Sequence, residues 1–600
     1  MMVIFTFVVL LVGTTYIPSL AFRAPSSHSV PSKLPNDNDI VRRRQGKRNQ
    51  SKRMHHVENV LLERIDQFVS LHPETDPSSL PSHSSILANV NRDHERDVAW
   101  AKASPLPFES EANGNNHFHS IQYEPINDIT SDIPIAIQTE SSMPLLNDAE
   151  VQLLRSASQF YWDRQCSGGD GASEKSRFTY QRRGNSEAHL SDVVKYAQQF
   201  NFKDFPSLVQ DLLLNRVYPW VREVYLSKEE GGGDLELYVY DSLFIRYNAT
   251  RSDPNHLHSG GIEHRRRVGA GQPLHRDLGY ASVNIMLNSE KDFNGGGTFF
   301  EDQLKPMVLV GELDYGVCPI KPPGPGHAIA HLSSCRHAGA ATFSGVRDIL
   351  VIFLAATKKE QHRSSGTDSA INPAPQWECN ARIKSTARAY SADCCESDLD
   401  QLLCRIRHHR LAIEQVMDDG EAWHYLGMAL LDHYNHRKVI NDTEKSWSQC
   451  EHSLELANLC LDEATKRTPC DGRLYNNLGI ASERLLELAI AKEPTQCSKV
   501  IEQLREKIRA SYHRSLMIHS TCERMGCDTV TDYESTCLNY GLFLSKQDEF
   551  DNAVHVLSKI VSPNDAEFSN TNDDAAAWAR QRVLHDAMQL LSFCEKQRCH

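Results

Sequence analysis

His275 and Asp277, one residue apart in Gly271-Gln272-Pro273-Leu274-His275-Arg276-Asp277, are the pair best placed to hold a metal ion. On extended backbone the side chains alternate, so both point to one face and reach the same ion. His337, sixty residues beyond Asp277, offers a third donor, and Arg347 follows ten residues later at the head of the apolar run 349–354. A guanidinium entering so apolar a strand is costly unless an anion meets it. Its planar fork suits a carboxylate gripped through two hydrogen bonds. Two imidazoles and a carboxylate with positions left open are the donor set of non-haem Fe(II) oxygenases; the arginine would then grip the distal carboxylate of a 2-oxo diacid. His327 and His331 compete with His337 for the third place, since alternation puts both on one strand face.

These residues need strands to carry them. From 235 the chain turns dense in β-branched and aromatic residues: 235–247, 281–287, 297–301, 307–311, 327–333 and 347–355 all read as strands. Gly and Pro punctuate them. Gly295-Gly296-Gly297 reads as a tight turn into a strand; as a phosphate cradle it lacks a following Lys-Ser/Thr and a helix. Ahead of the strands, Asn147 or Asp148 caps an expected helix (Val151, Leu154, Ala157), and a second helical stretch covers about 189–226. Short strands behind a helical preface imply a small barrel or jelly roll braced by helices, an α+β unit. The loop at about 251–270, with His256, His258, His264 and Arg265–Arg267, borders the expected mouth.

Residues 235–355 resemble the prolyl 4-hydroxylase type of Fe(II)- and 2-oxoglutarate-dependent dioxygenase. The motifs are Arg246-Tyr247, His275-x-Asp277, Gly295 to Phe300, His337 and Gly345-Val346-Arg347. The resemblance implies a double-stranded β-helix spanning 143–358 with its helices, the β core at 235–356. It implies that His275, Asp277 and His337 are the catalytic Fe(2+) ligands, and that Arg347 holds the C5 carboxylate of 2-oxoglutarate with Tyr247 and Thr298 beside it. It implies hydroxylation of a peptidyl side chain, proline first, with O2 consumed and 2-oxoglutarate converted to succinate and CO2. L-ascorbate would restore over-oxidised iron. Met286 stands where many relatives carry Tyr, so a pocket wall differs. The same chemistry on a lysyl or small-molecule substrate, and a catalytically silent scaffold, are the alternatives.

Beyond a linker expected at 359–400, residues 401–600 read as helical. Trp423, Leu426 and Gly427, then Ala457, Leu461, Ala464 and Pro469, then Tyr475, Leu478 and Gly479 resemble tetratricopeptide repeats with insertions. Asn539-Tyr540-Gly541 with Ala553, Leu557 and Pro563 gives a further unit. Such an all-α domain would hold a polypeptide substrate. The apolar run at 3–12, with Ser19 and Ala21 before Phe22, reads as a signal peptide over 1–21. Residues 22–140 read as a disordered basic and polar linker, or in part a transit peptide. The expected destination is the endoplasmic reticulum lumen or secretion, with a plastid as the alternative. With 64 basic against 78 acidic residues the net charge is −14, which argues against a nucleic-acid coat. After the N-terminus no apolar run is long enough for an internal membrane domain. The 16 cysteines, clustered late in the chain, fit either disulfides or buried thiols.

Overall fold

Alternation along the strands sorts the sheet into two faces in the computed structural model. The structure describes residues 58–71, 80–102, 123–126, 134, 136–166, 185–200, 202–228, 232–249, 271–272, 274–277, 279–304, 318–358, 374–393, 399–440, 444–492, 498–524, 530–561 and 575–598. The expected signal peptide, the 251–270 loop and the 307–311 strand lie outside them. Residues Met1–Leu61 form one unit, of which 58–61 are described and helical; everything below concerns the other, Leu62–His600.

The strands are β1 (Tyr123–Ile126), β2 (Ala136–Thr139), β3 (Asn185–His189), β4 (Leu235–Asn248), β5 (Ala281–Met286), β6 (Phe293–Gly295), β7 (Thr298–Phe300), β8 (Ala328–Leu332), β9 (His337–Gly339) and β10 (Thr342–Lys358). They form an antiparallel sheet ordered β1-β2-β8-β5-β10-β4-β3, with β6 on the start of β10, and a separate β7-β9 pair. On the outer face Val283, Ile285, Ala330, Leu350 and Ile352 are fully buried. They pack beneath α2 (Asp148–Cys166), α3 (Leu190–Gln199) and the rod formed by α4 (Asp204–Asp211), a π turn (Leu212–Val217) and α5 (Tyr218–Val224). Leu154, Leu190, Phe205, Leu212 and Trp220 fill that layer. Each such side chain contributes about 1.5–3 kcal/mol by leaving water. Asn147 caps α2 through its side chain, which accepts from the Glu150 N–H at 3.0 Å while Glu150 accepts from the Asn147 N–H at 2.8 Å.

Two expected linkers contain structure. Within 22–140, α1 (His83–Lys102) forms, and β1 and β2 join the sheet through the β2–β8 pairing Ala136↔His331. Within 359–400, α6 (Gln376–Asp393) forms. The reason is the same for both helices: buried residues recur at i, i+4 (Ile86, Val90, His94; Cys379, Ile383, Ala387) inside otherwise polar sequence. His94 meets Glu378 at 2.6 Å and Arg382 meets Asp97 at 2.9 Å, so the two helices supply each other's polar partners. The strands β1 and β2 are only four residues long, too short to show a period.

The C-terminal part is helical: α7 (Leu399–Gln415), α8 (Gly420–Ile440), α9 (Glu444–Arg467), α10 (Gly472–Lys492), α11 (Ser498–Arg524), α12 (Val530–Lys546), α13 (Phe550–Leu557) and α14 (Ala575–Arg598). Successive helices pack against one another. The repeated glycines sit where neighbours cross: a Cβ on Gly427 would lie 2.7 Å from Leu461, on Gly479 2.8 Å from Tyr512, and on Gly541 2.7 Å from Leu557. No described helix is long and apolar enough to cross a membrane, and Cys318, Cys379, Cys460 and Cys594 are free thiols.

Candidate functional site

The inner face of the sheet carries the chemistry. The parity that buries residues 283, 285, 350 and 352 outward turns Ser282, Asn284, His331, Tyr247 and Arg347 inward. Arg246, one residue from Tyr247, falls on the outer face and binds Asp348 through two nitrogens at 2.7 and 2.9 Å. The β7-β9 pair covers the inner face, with Phe300 edge-on to His331 at 5.3 Å. His275 and His337 face each other in an antiparallel bridge, their backbone N–H groups donating reciprocally at 2.8 and 2.9 Å. Two ligand-bearing segments are therefore held in register by main-chain bonds.

His275, Asp277 and His337 converge, their ligand atoms all within 4.8 Å of one another. Nε2 of His275 lies 3.3 Å from Asp277 Oδ1, and Nε2 of His337 lies 3.5 Å from Oδ2. The Ser282 hydroxyl donates to Oδ2 at 2.5 Å, and Nδ1 of His337 donates to the Cys335 carbonyl at 3.1 Å, fixing the tautomer with Nε2 as ligand. Burial opposes ionisation of Asp277, but His337 and His275 prevail and hold its carboxyl below the usual range. Burial pushes His337 well below its ordinary value, toward the neutral form. A carboxylate beside a neutral imidazole suits a divalent cation.

Arg347 is 3% exposed, and its Nε and Nη1 have no hydrogen-bond partner. Burial lowers its pKa, yet a guanidinium stays charged at neutral pH. Its Cζ stands 5.2 Å from the Tyr247 ring centroid. Gly296, at φ +68°, brings the turn against the arginine stem; a Cβ there would lie 2.9 Å from Arg347 Cδ. Arg347, Tyr247, Thr298 and the three candidate ligands line one cavity of about 1040 Å³. His327 is not part of this cluster and bonds Thr139 at 3.0 Å. Met286 is buried on the inner-face parity beyond Asn284.

The opposite wall is helical and was not foreseen. Arg276, between the two ligands, points away from them by alternation and pairs with Glu421 of α8 at 2.9 Å. Arg336, beside His337, bonds Glu301 and meets Asp471 at 2.9 Å. Lys384 of α6 joins Asp419 at 2.6 Å and Glu421 at 2.9 Å. Burial pushes Glu301 up to about 7, while charge from Arg336 and Arg473 overcomes burial and holds Asp471 low. The signal for Arg276 and Arg336 was strand parity: charged residues adjacent to ligands must face another element. Ser282 and Asn284 had a signal too, polar residues at alternate places in an apolar strand.

No family model and no curated protein matches the chain. Solved structures do. AviO1 from Streptomyces viridochromogenes is 16% identical over 39% of this chain and 90% of that one, with a TM-score of 0.23. EvdO2 from Micromonospora carbonacea var. aurantiaca, complexed with 2-oxoglutarate, is 14% identical over 38% of this chain and 89% of that one, with a TM-score of 0.20. A prolyl 4-hydroxylase structure from Phytophthora capsici is 10% identical over 56% of this chain and 88% of that one, with a TM-score of 0.23. Scores this low carry no argument, so the residues of the site decide what it can do.

Proposed function

We propose that the chain is an Fe(II)- and 2-oxoglutarate-dependent oxygenase that hydroxylates a peptidyl side chain, proline foremost. The observation that carries this is the buried Arg347 guanidinium with two unpartnered nitrogens, on the same inner face as a two-histidine, one-carboxylate cluster. The residues present fit both groups: the cluster offers the donor set of non-haem iron, and a buried cation without an anion calls for a carboxylate. His275, Asp277 and His337 would hold the metal. Arg347 would grip the C5 carboxylate of 2-oxoglutarate, with the Tyr247 and Thr298 hydroxyls beside it. Iron with 2-oxoglutarate and O2 supplies the oxidation: one oxygen atom goes to succinate, formed with CO2, and one to the substrate C–H.

The chain's own work is positional. The His275–His337 bridge sets ligand spacing, Ser282 holds one Asp277 oxygen, and the layer of β7 and β9 shields the cluster. A volume of about 1040 Å³ exceeds what 2-oxoglutarate needs and leaves room for a substrate segment between sheet and helices. In this reading the fold is a double-stranded β-helix, the C-terminal helices are tetratricopeptide-like and present polypeptide, and ascorbate restores the iron. A signal peptide routes the chain to the secretory pathway, or onward to a plastid. Anaerobic addition of Fe(II) and 2-oxoglutarate should produce a charge-transfer band in the visible. Its absence, or substrate-driven succinate release that survives His337→Ala, ends the proposal. Mass spectrometry of candidate polypeptides, with and without 2-oxoglutarate, should locate a residue one oxygen heavier.

A further inference from the structure

The helical wall of the cavity holds a hydrogen-bond donor and an acceptor that the protein leaves unused. Trp377, Asn380, Ala381, Lys384 and Ser385 of α6 all line the cavity. Their spacing of three and four puts them on one helix face. Trp377 Nε1 is buried without a hydrogen-bond partner, and so is Oδ1 of Asn380, a residue 4% exposed. The Asn380 amide has one orientation only. Its Nδ2 donates to Asp419 Oδ2 at 2.5 Å, and a carboxylate only accepts, so Oδ1 is fixed as the unmet acceptor. Asp419 is itself held by Lys384 Nζ at 2.6 Å and, through Oδ1, by the Glu421 N–H at 3.0 Å. The indole packs against Tyr280, ring centroids 5.2 Å apart, and an indole nitrogen only donates. Buried polar atoms without partners are costly, and a ligand that carries both complements relieves both at once. 2-Oxoglutarate, with ionised carboxylates and a keto oxygen, offers acceptors alone and cannot meet Asn380.

The complement is one residue of extended peptide. Side chains three apart on a helix start about 5–6 Å from each other. An extended residue presents its N–H and its C=O to the same side, as in an antiparallel ladder. We propose that Trp377 and Asn380 form a subsite for one main-chain residue of the polypeptide substrate: the Trp377 N–H donates to its C=O, and Asn380 Oδ1 accepts from its N–H. This rests on the reading of the cavity as the place where a polypeptide is oxidised, and it adds a rule of selection. Proline has no N–H, so the residue docked on α6 is not proline. It is a neighbour of the hydroxylated residue, and an unbroken run of prolines is a poor substrate.

The test uses the full chain and the peptide acetyl-Ala-Pro-Ala-Ala-amide, with three further peptides each N-methylated at one alanine. It needs neither metal nor turnover. Affinity is read by saturation-transfer nuclear magnetic resonance in wild type, Asn380→Leu and Trp377→Phe. The Trp377 indole N–H is followed in protein with isotope-labelled tryptophan, as the resonance that Trp377→Phe removes. The parent peptide should move that resonance. Methylation at one of the alanines should weaken binding at least about tenfold in wild type and change nothing in Asn380→Leu. Trp377→Phe, which keeps a ring against Tyr280, should weaken the parent peptide by a similar factor. An indole resonance that stays in place at millimolar peptide, or a methylation effect of full size in Asn380→Leu, would overturn the subsite. Where the leucine variant impairs folding, Trp377→Phe decides: unchanged affinity for the parent peptide overturns it. The charge-transfer band with Fe(II) and 2-oxoglutarate reports separately on the oxygenase. A band without these peptide effects removes the subsite alone; the peptide effects without a band keep the subsite and remove the oxygenase.

Discussion

The two walls of the cavity treat charge in opposite ways. On the helical wall every cation named above already has its anion within the protein: Arg276 has Glu421, Lys384 has Asp419 and Glu421, and Arg336 has Glu301 and Asp471. On the sheet wall Arg347 Nε and Nη1 and Glu187 Oε2 are buried without hydrogen-bond partners. Buried polar atoms normally find partners. Trp377 Nε1 and Asn380 Oδ1 on the helical wall are unpartnered too, so the difference between the walls is one of charge: the sheet wall leaves a buried guanidinium unmet, next to one whose cations are met. The unmet charge of Arg347 is where binding energy for an anion is available.

The largest break in that comparison comes from Asp277→Ala. It removes the one anion of the cluster, so Co(II) binding should fall below detection by calorimetry and succinate production should stop. Next is Arg347→Met, which keeps the stem's volume and deletes the charge. Affinity for 2-oxoglutarate should weaken about 100-fold, the equivalent of roughly 3 kcal/mol for charge-assisted hydrogen bonds, while Co(II) affinity is kept. The same variant should make the ligand-free protein more stable, by about 1–3 kcal/mol, because an unpaired buried charge has gone. Chemical denaturation without ligands checks this. On the helical wall the sign reverses. Asp471→Asn leaves Arg336 with Glu301 alone and removes the carboxylate that Arg473 binds, and should cost about 3 kcal/mol by the same measurement.

The contrast also marks what could be read from the sequence. The cluster was legible because its chemistry is local: one-residue spacing on a strand puts His275 and Asp277 on one face, and an arginine opening an apolar run announces a buried charge. Strand parity likewise carried Tyr247 inward with Arg347, and the glycine triple is the turn its composition implied, with all three φ angles positive. The helical wall was not legible. Glu421 and Asp471 are more than 130 residues from Arg276 and Arg336, and nothing in either stretch names that distant partner. The helices α1 and α6 were missed because their buried stripes include His94 and Cys379 among mostly polar residues, so the apolar period is faint. The four-residue β1 and β2 show no period at all.

The smallest predicted effect probes the sheet wall away from the metal cluster. Glu187 on β3 lines the cavity, and its Oε2 has no partner. Burial pushes its carboxyl up to about 7, against the pull of His189. An unfolded chain would release this proton near the ordinary carboxylate value of about 4.3. Between that pH and 7 the folded state holds a proton that the unfolded state has lost, so stability must fall as pH rises across the window. The loss is on the order of 1–2 kcal/mol once partial solvent screening is allowed for. Glu187→Gln cannot titrate and should flatten this part of the stability profile, measured by denaturation between pH 5 and 8. A ligand that donates a hydrogen bond to Oε2 should have the same flattening effect in the wild type, because it lowers the carboxyl back toward its unfolded value. If the wild-type profile is already flat, Glu187 has a partner in solution, and the sheet wall is less open there than at Arg347.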